Sequence, residues 1–352
     1  MALVAHYPAL NRPDGPLVSV CIAHYRGPEL IAACLDSVLE QQCDFSFEII
    51  VHDDASPDDS VAFLREKYPQ VELLASRENI GFCVANNRMV NHAKGDYILL
   101  LNNDATLFPD ALETLMRKAK SDEGIGILTL PQYDWESGTL VDRGCLIDPF
   151  YNPVPNLDAN RTDVAMVIGA CLWIRRSTWY QLGGFPDWFQ SIAEDMLLCC
   201  LARRSGWRVC ALTKSGYLHH QGHSFGGNKP NNRTLRPSLN RRRLSERNKT
   251  YAMLIATPGR ILWVLFPLHI VLLTLEGLTV SILTQRLEIF FNVYLASIWS
   301  IKRNIKNICE ARASANSSKS INSASYFSAF TYSPQKVKLL LKFGVPKFEQ
   351  GM

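Results

Sequence analysis

The stretch YILLLNND, residues 97–104, decides the fold. Five apolar residues run without interruption and stop on Asn102, Asn103 and Asp104. A short apolar run closed by polar residues is the pattern of a strand buried on both faces, as in parallel sheets covered by helices. The pattern continues on both sides. Upstream, residues 82–93 read as a helix, 71–74 as a strand, 60–67 as a short helix and 48–51 as a strand that ends in the polar turn HDDASPDDS. Before these, Pro28 opens a helix with Leu30, Ile31, Cys34, Leu35, Val38 and Leu39 at helical spacing, after an apolar strand over 17–22. Downstream come a helix over 110–120 and a strand over 124–130. Residues 131–163, rich in Pro, Gly, Asp and Asn, read as a long excursion with little regular structure. Strand character returns over 164–174 around Gly169-Ala170, Gly183-Gly184 makes a turn, 194–205 is helical and 207–212 is a strand. Such alternation predicts an α/β fold with a mainly parallel, doubly wound sheet.

The 352 residues are 47% hydrophobic and 20% charged, so a sizeable core is expected and disorder is not. The formal net charge is only +4, which gives no global field for nucleic acid, and none is expected as a partner. Charge is instead concentrated locally: between Lys229 and Arg260 the only acid is Glu246. The 10 cysteines show no C-x-x-C pair and no zinc spacing, and read as buried thiols of a reducing compartment. The N-terminus lacks the basic start and apolar stretch of a secretory signal.

After the basic belt, residues 261–275 carry no charge, Glu276 interrupts, and 277–284 are again uncharged. Residues 287–301 form a second apolar stretch with Glu288 as its only charge. The first stretch is shorter than the roughly 18 residues of a clean span, and Pro267 and Gly277 are expected to kink a helix there. Basic residues on both sides, including Arg260, Lys302, Arg303 and Lys306, suit a hairpin or interfacial pair with both ends cytoplasmic. The expected organisation is an N-terminal extension (1–16), a catalytic domain (17–250), a membrane-associating helical segment (251–310), and a flexible Ser/Asn-rich tail (311–352) with a short basic helix over 335–343.

In open α/β sheets ligands bind beyond the carboxyl ends of the strands. Acidic residues fall at three such places: Asp53-Asp54, Asp104 and Glu194-Asp195. Any one alone is equally well a loop or cap residue; three on one rim point to a catalytic cleft. A nucleotide sugar leaves behind a diphosphate, whose charge Mn2+ or Mg2+ can neutralise through oxygen ligands. Asp104 is a fitting ligand, and Asp195, opening a helix, is a candidate base for an acceptor hydroxyl.

Six strings carry a resemblance: VSVCIAHYRGPELIAACLDSVLEQ, EIIVHDDASPDDS, RENIGFCVANNRMVNHAKGDYILLLNNDATLFPDAL, IGACLWIRR, GGFPDWFQSIAEDMLLCCLARRSGWRV and LHHQGHS. In this order and spacing the chain resembles a family 2 glycosyltransferase of GT-A fold, of the bacterial rhamnosyltransferase-like subgroup. The resemblance implies donor-binding roles for Ala23, Tyr25, Asp53, Asp54, Asn79, Gly81, Asn87, Asn102 and Asn103. It implies Asp104 as the carboxylate of the metal motif, with Asn102 where an acid is usual, and His219 rather than His220 as a further ligand. Gly169 and Ala170 would line the acceptor side. Asp195 would be the catalytic base, with Glu194 supporting it.

The implied activity is inverting transfer from a nucleotide-diphosphate donor, such as dTDP-rhamnose or a UDP-sugar. The acceptor would be a hydroxyl of a glycan or lipid-linked molecule, at the cytoplasmic face of the plasma membrane. A nucleotidyltransferase would need a glycine-rich basic loop, and the segment AHYRGPEL offers only Arg26 and Gly27. A processive polysaccharide synthase would carry Q-x-x-R-W, which is absent, and more apolar segments. A glycan-binding protein with a decayed site would have no reason to keep Asp53, Asp104, Asp195 and a histidine together.

Overall fold

The structure is a computed structural model that describes residues 4–220, 238–317 and 321–345. Strand β1 (Val4–Tyr7) is followed by β2 (Val18–His24), α1 (Pro28–Leu39), β3 (Phe47–Asp53), α2 (Ser60–Lys67), β4 (Glu72–Ser76), α3 (Phe82–His92) and β5 (Tyr97–Asn102). α1 begins at Pro28, straight after Gly27 at φ +88°, a conformation that a Cβ would resist. A tight turn leads from β5 into β6 (Ala105–Leu107), then α4 (Ala111–Ser121), β7 (Ile125–Thr129) and the short strands β8 (Gln132–Asp134), β9 (Leu140–Asp142), β10 (Cys145–Ile147) and β11 (Pro153–Pro155). β12 (Cys171–Arg175), α5 (Arg176–Leu182), α6 (Glu194–Arg204), β13 (Arg208–Ala211) and β14 (Tyr217–His219) follow. The rest is helical: α7 (Leu239–Ala256), α8 (Leu262–Thr284), α9 (Leu287–Ile289), a π-helical turn Phe290–Leu295, α10 (Ala296–Arg303), α11 (Ile305–Ser317), α12 (Ser323–Phe327) and α13 (Gln335–Phe343).

Two compact units emerge. The first comprises Met1–Gly144, Pro155–Ser191 and Trp207–His220, and the second Cys145–Val154, Ile192–Gly206 and Gln221–Met352. These divisions do not follow the linear boundaries expected at 17, 250 and 310, because α6 and the β10 region group with the C-terminal helices.

The first unit is built on an eight-stranded sheet ordered β1-β4-β3-β2-β5-β12-β7-β13. Its centre, β4-β3-β2-β5, is parallel, and β13 is parallel to β7. β12 runs antiparallel between β5 and β7, and β1 runs antiparallel to β4 at the edge. Residues 98–101 of β5 are almost fully buried, as the apolar run requires. A smaller sheet, β6-β14-β8-β9, stands beside it. Three sequence expectations change. The strand expected over 164–174 is regular only from Cys171, and Gly169-Ala170 precede it. The excursion over 131–163 contains four short strands, too brief for any periodicity to show. The N-terminal extension supplies a strand of the main sheet.

That edge strand is tied down by one buried carboxylate. Glu72 Oε1 lies 2.5 Å from His6 Nε2, 2.7 Å from His92 Nε2 and 2.9 Å from Arg12 Nη1, and Oε2 accepts from the Ala9 amide at 2.9 Å. Arg12 also donates to Glu48.

In the second unit α7 packs against α6, α10 and α11. The buried hydroxyls of Tyr151, Thr257 and Tyr326 form a chain with both links 2.8 Å long. α8 runs unbroken through Pro267 and Gly277. Gly277 serves close packing: a Cβ there would sit 2.6 Å from the Tyr294 ring. The tail expected to be flexible carries the end of α11, then α12 and α13 where it is described. Cys309 is exposed, Cys43 half-buried and the other eight cysteines buried.

The Glu72 knot sets a pH dependence. Burial alone would raise this carboxyl, but the Ala9 amide, both histidines and Arg12 outweigh it and bring it down to about 2. A depressed carboxylate contributes stability that is fully present above its unfolded pKa of about 4.3 and is lost as pH falls toward the folded value. Urea unfolding should therefore show stability falling between about pH 4 and pH 2, and Glu72→Gln should flatten that slope while lowering stability at pH 7. An unchanged acid slope in Glu72→Gln would rule out this role.

Candidate active site

The carboxyl ends of β2, β3 and β5 gather the polar residues of the first unit. Their register pairs Ala23 with His52 and Asn102, and His24 with Asp53. Asp53 is almost fully buried; Oδ1 accepts from the Ser56 amide at 3.0 Å, and Oδ2 is buried with no partner among the described residues. A buried carboxylate oxygen left open is costly unless something else satisfies it. Tyr25, just beyond β2, is 40% exposed and lies under the Arg26 guanidinium.

Asp54 does different work. Its oxygens accept the amides of Ile80 at 2.7 Å and Gly81 at 2.9 Å, and its carbonyl accepts from Asn79 Nδ2 at 3.2 Å. Asp54, Asn79 and Gly81 thus clasp the loop after β4 to the end of β3. Asn87 is likewise committed: Nδ2 donates to the Phe185 carbonyl at 2.7 Å and Asp187 at 2.8 Å, and Oδ1 accepts from the Phe185 amide at 3.1 Å. Gly184, at φ +65°, leaves room for this, since its Cβ would lie 2.8 Å from Asn87 Oδ1.

Asn102, Asn103 and Asp104 form the turn between β5 and β6. Asn103 Nδ2 donates to His24 Nδ1 at 2.9 Å, which leaves Nε2–H of that ring to donate to Ser60 Oγ at 2.9 Å, and Ser60 in turn bonds Asp58 at 2.5 Å. Burial lowers the pKa of His24 against the charges of Asp53 and Asp58, consistent with this neutral tautomer. Asn103 therefore orients the turn. The Asn102 amide donates to the Ala170 carbonyl at 3.1 Å, which sets Gly169-Ala170 beside the turn.

Asp104 is almost fully buried. Its Oδ1 lies 3.1 Å from His219 Nε2, and Asn102 Nδ2 lies 3.5 Å from the same nitrogen. Burial pushes the Asp104 carboxyl up, but the hydrogen bond and charge of His219 outweigh it and hold the carboxyl below its usual range. β14 delivers His219 by pairing with β6, and the His220 amide donates to the Asp104 carbonyl at 3.0 Å. The adjacent histidines are thereby separated: His219 meets Asp104, while the His220 ring stacks on Trp135 with centroids 4.0 Å apart. His219 Nδ1 is buried with no partner among the described residues. The Gln221–Ser224 part of the histidine string lies outside the described residues. Sequence reasoning missed Asp142, a buried acid of β9 in the same small sheet, pushed up to about 7 by burial against the Gly144 amide and the charge of His219.

Glu194 and Asp195 belong to the second unit and open α6. Gln190, Ile192 and Ala193 precede them at φ of +68°, +72° and +65°, all non-glycine residues in left-handed conformations. Each costs energy that surrounding structure must offset. Asn248 of α7, fully buried, supplies part of that: its Nδ2 donates to the Ile192 carbonyl at 2.8 Å, and Arg247 Nε donates to its Oδ1 at 2.8 Å. Asp195 Oδ1 accepts from the Met196 amide at 2.7 Å. Glu194 is buried, with Oε2 lacking a partner among the described residues. Burial and then Asp195 push its carboxyl up to about 8, opposed by backbone bonding and by Arg241. The sequence places Arg241 in the basic belt and offers no role for Asn248. Asn in a helix interior, where its propensity is poor, was the only available signal.

The pair predicts a pH effect of opposite sign to that of Glu72. A carboxyl raised in the folded state contributes stability below its unfolded pKa of about 4.3, and this is lost as pH rises toward about 8. Glu194→Gln, which cannot ionise, should raise the urea midpoint relative to the parent at pH 8 and change it little at pH 5. Equal effects at both pH values would show that Glu194 is ionised throughout.

Comparison with known proteins agrees with this architecture. Residues 19–182 match the model of glycosyl transferase family 2. An uncharacterized protein of Mycobacterium tuberculosis is 36% identical over 34% of this chain and 37% of its own. A chondroitin synthase of Pasteurella multocida is 28% identical over 52% of this chain and 18% of its own. The chain thus spans little more than a third, or less, of the length of these two curated relatives. An N-acetylglucosaminyl-diphospho-decaprenol L-rhamnosyltransferase of M. tuberculosis is 24% identical over 59% of this chain and 76% of its own. Among solved structures, GalNAc-T7 with UDP, GalNAc and Mn2+ superposes with a TM-score of 0.51 at 16% identity, over 59% of this chain and 44% of that one. With the sheet order, the strand-end carboxylates and this match together, the chain carries a family 2 glycosyltransferase domain on a GT-A-like α/β fold.

Proposed function

We propose that the chain is an inverting glycosyltransferase. It moves a sugar from a nucleoside diphosphate to a hydroxyl of a glycan or lipid-linked acceptor in cell-surface polysaccharide synthesis, at the cytoplasmic face of a membrane. The observation that carries this reading is the meeting of Asp104 and His219 at 3.1 Å, at the carboxyl rim of the parallel strands. The relative whose name specifies a decaprenol-linked acceptor and rhamnosyl transfer supports a lipid-linked acceptor and a deoxyhexose donor.

The residues fit a divalent cation. One carboxylate oxygen and one imidazole nitrogen already face each other, and the second ring nitrogen, Nδ1, is an orphaned buried polar atom. Asp104 and His219 would hold Mn2+ or Mg2+, which supplies positive charge for a departing diphosphate. Asp53 offers its open Oδ2 to the base or ribose, and Ala23 and Tyr25 stand on either side of His24, its register partner in β2. Asp54, Asn79, Gly81, Asn87 and Asn103 shape the donor loops through the bonds described above, and Asn102 spaces the turn from Ala170. Asp195 takes the acceptor hydroxyl's proton as that oxygen bonds the anomeric carbon and the bond to the diphosphate breaks. Glu194, pushed up to about 8, keeps its own proton at neutral pH, so the two carboxyls divide their roles. The name of the chondroitin synthase relative favours a second reading, a polysaccharide synthase. Product length separates the two: a single added sugar supports the first, a polymer the second.

Mn2+ binding is measurable apart from turnover. The free-ion EPR signal should fall on adding protein and recover in Asp104→Ala and His219→Ala, and transfer should stop in excess chelator. Unaltered Mn2+ binding in both variants would remove this pair from the metal site.

Asp195→Asn keeps the shape but cannot take the proton. Transfer should drop by about 10² to 10⁴ with donor affinity little changed. NMR of the product should show an inverted anomeric configuration. Near-normal transfer would dismiss Asp195 as base, and retention would reject single displacement.

A further inference from the structure

α8 is apolar over most of its surface, but among the described residues only one side is occupied. His269, Leu273, Gly277, Val280 and Ser281 are buried within the second unit. The opposite side is bare: Val264, Leu268, Val271, Leu275 and Ile282 recur at helical spacing and are 45–69% exposed, beside Trp263 at 80%. Phe291 and Trp299 prolong exposed apolar surface along the next helices. A helix whose exposed side is this apolar leaves that side for a partner.

We propose that this face lies in the plane of an anionic lipid bilayer surface, and that α8 does not cross the membrane. The inference rests on the membrane contact proposed above, and not on the transfer chemistry. Length does not decide it, because 23 residues make a helix about 34 Å long, enough to span. The occupied side decides it. Glu276, at the middle of α8, is bonded by Arg242 of α7, by Lys336 Nζ of α13 at 2.5 Å and by the Tyr294 hydroxyl at 3.2 Å. Lys336 and Lys249 both reach Glu246, at 2.9 and 3.3 Å. His269, two turns earlier, bonds Thr250 of α7 at 2.8 Å. A spanning α8 would carry this charged cluster into hydrocarbon, or strip it away and leave Glu276 alone there; both are costly. A helix lying in the interface sinks only its bare side and keeps the cluster on the polar side. Charge names the partner: exposed Arg260 precedes the apolar surface and exposed Lys302, Arg303 and Lys306 follow it, as anionic headgroups require. Trp263 and Trp299 suit the headgroup level.

The test uses the full chain with vesicles of phosphatidylcholine and phosphatidylglycerol at 3:1, and of phosphatidylcholine alone. Flotation should recover the protein with the anionic vesicles, and brominated acyl chains should quench its tryptophan emission. Val271→Glu with Leu275→Glu should lower the partition coefficient at least about tenfold with an unchanged thermal melt. Orientation is read in vesicles re-formed around the protein. With Cys309→Ser as background, Arg260→Cys and Glu288→Cys bracket α8 in one molecule. An impermeant maleimide should give molecules labelled at both ends or at neither. Single labelling throughout means that α8 spans, which overturns the in-plane arrangement while membrane contact stands. Binding untouched by the two glutamates, or equal binding to neutral vesicles, overturns the proposed surface. No binding to either vesicle, with self-association that the same substitutions abolish in sedimentation, makes a second copy the occupant and overturns membrane contact as well.

Discussion

The parallel pairing of β2 with β3 and β5 is the constraint on which the first unit depends. Strands covered on both faces have no room for polar side chains along their length, so these residues collect where the strands end. His24, Asp53 and Asn102 sit at those ends, and Asn103 and Asp104 follow within one turn. The mixed small sheet then brings His219 back over that turn by pairing β14 antiparallel with β6. The carboxylate–imidazole contact thus draws one partner from the turn after β5 and the other from the small sheet.

The parallel core was legible in the sequence because its signal is local. Residues 97–101 could be little else than a buried strand, and α1, α2 and α3 announced themselves through Pro28, apolar spacing and polar turns. The three-residue strands β8, β9 and β14 were not legible, since so short a run has no period to detect. The polar residues were legible as chemistry but not as partners. Asp53, Asp54 and Asp104 look alike in the sequence, yet one keeps an open oxygen, one clasps two amides and one meets a histidine. The same ambiguity holds for Asn87 and Asn103, whose amides suit a ligand or a loop equally well. Asn248 lay beyond reach, because its worth depends on a carbonyl that precedes it by 56 residues.

The second unit solves a different problem with a similar economy. Its α7 carries much of the basic belt, yet Arg242 and Lys249 are turned inward to Glu246 and Glu276. Glu276 was the residue that spoiled an otherwise clean apolar run. It is also what fastens α8 to its neighbours, with Gly277 beside it letting the Tyr294 ring approach. An acid within an apolar stretch thus marks the side of the helix that belongs to the protein.

The short first strand has a further consequence. β1 contributes only four residues, held through pairing with β4 and through the Glu72 knot. Behind it β4 is buried at all five positions. If β1 detached, β4 would present a row of unpaired amides and carbonyls along its Leu73-Leu74-Ala75 centre, a template that another copy of the chain could extend. The four residues act as a guard against aggregation. Removing them would open the folded sheet to sheet-to-sheet association.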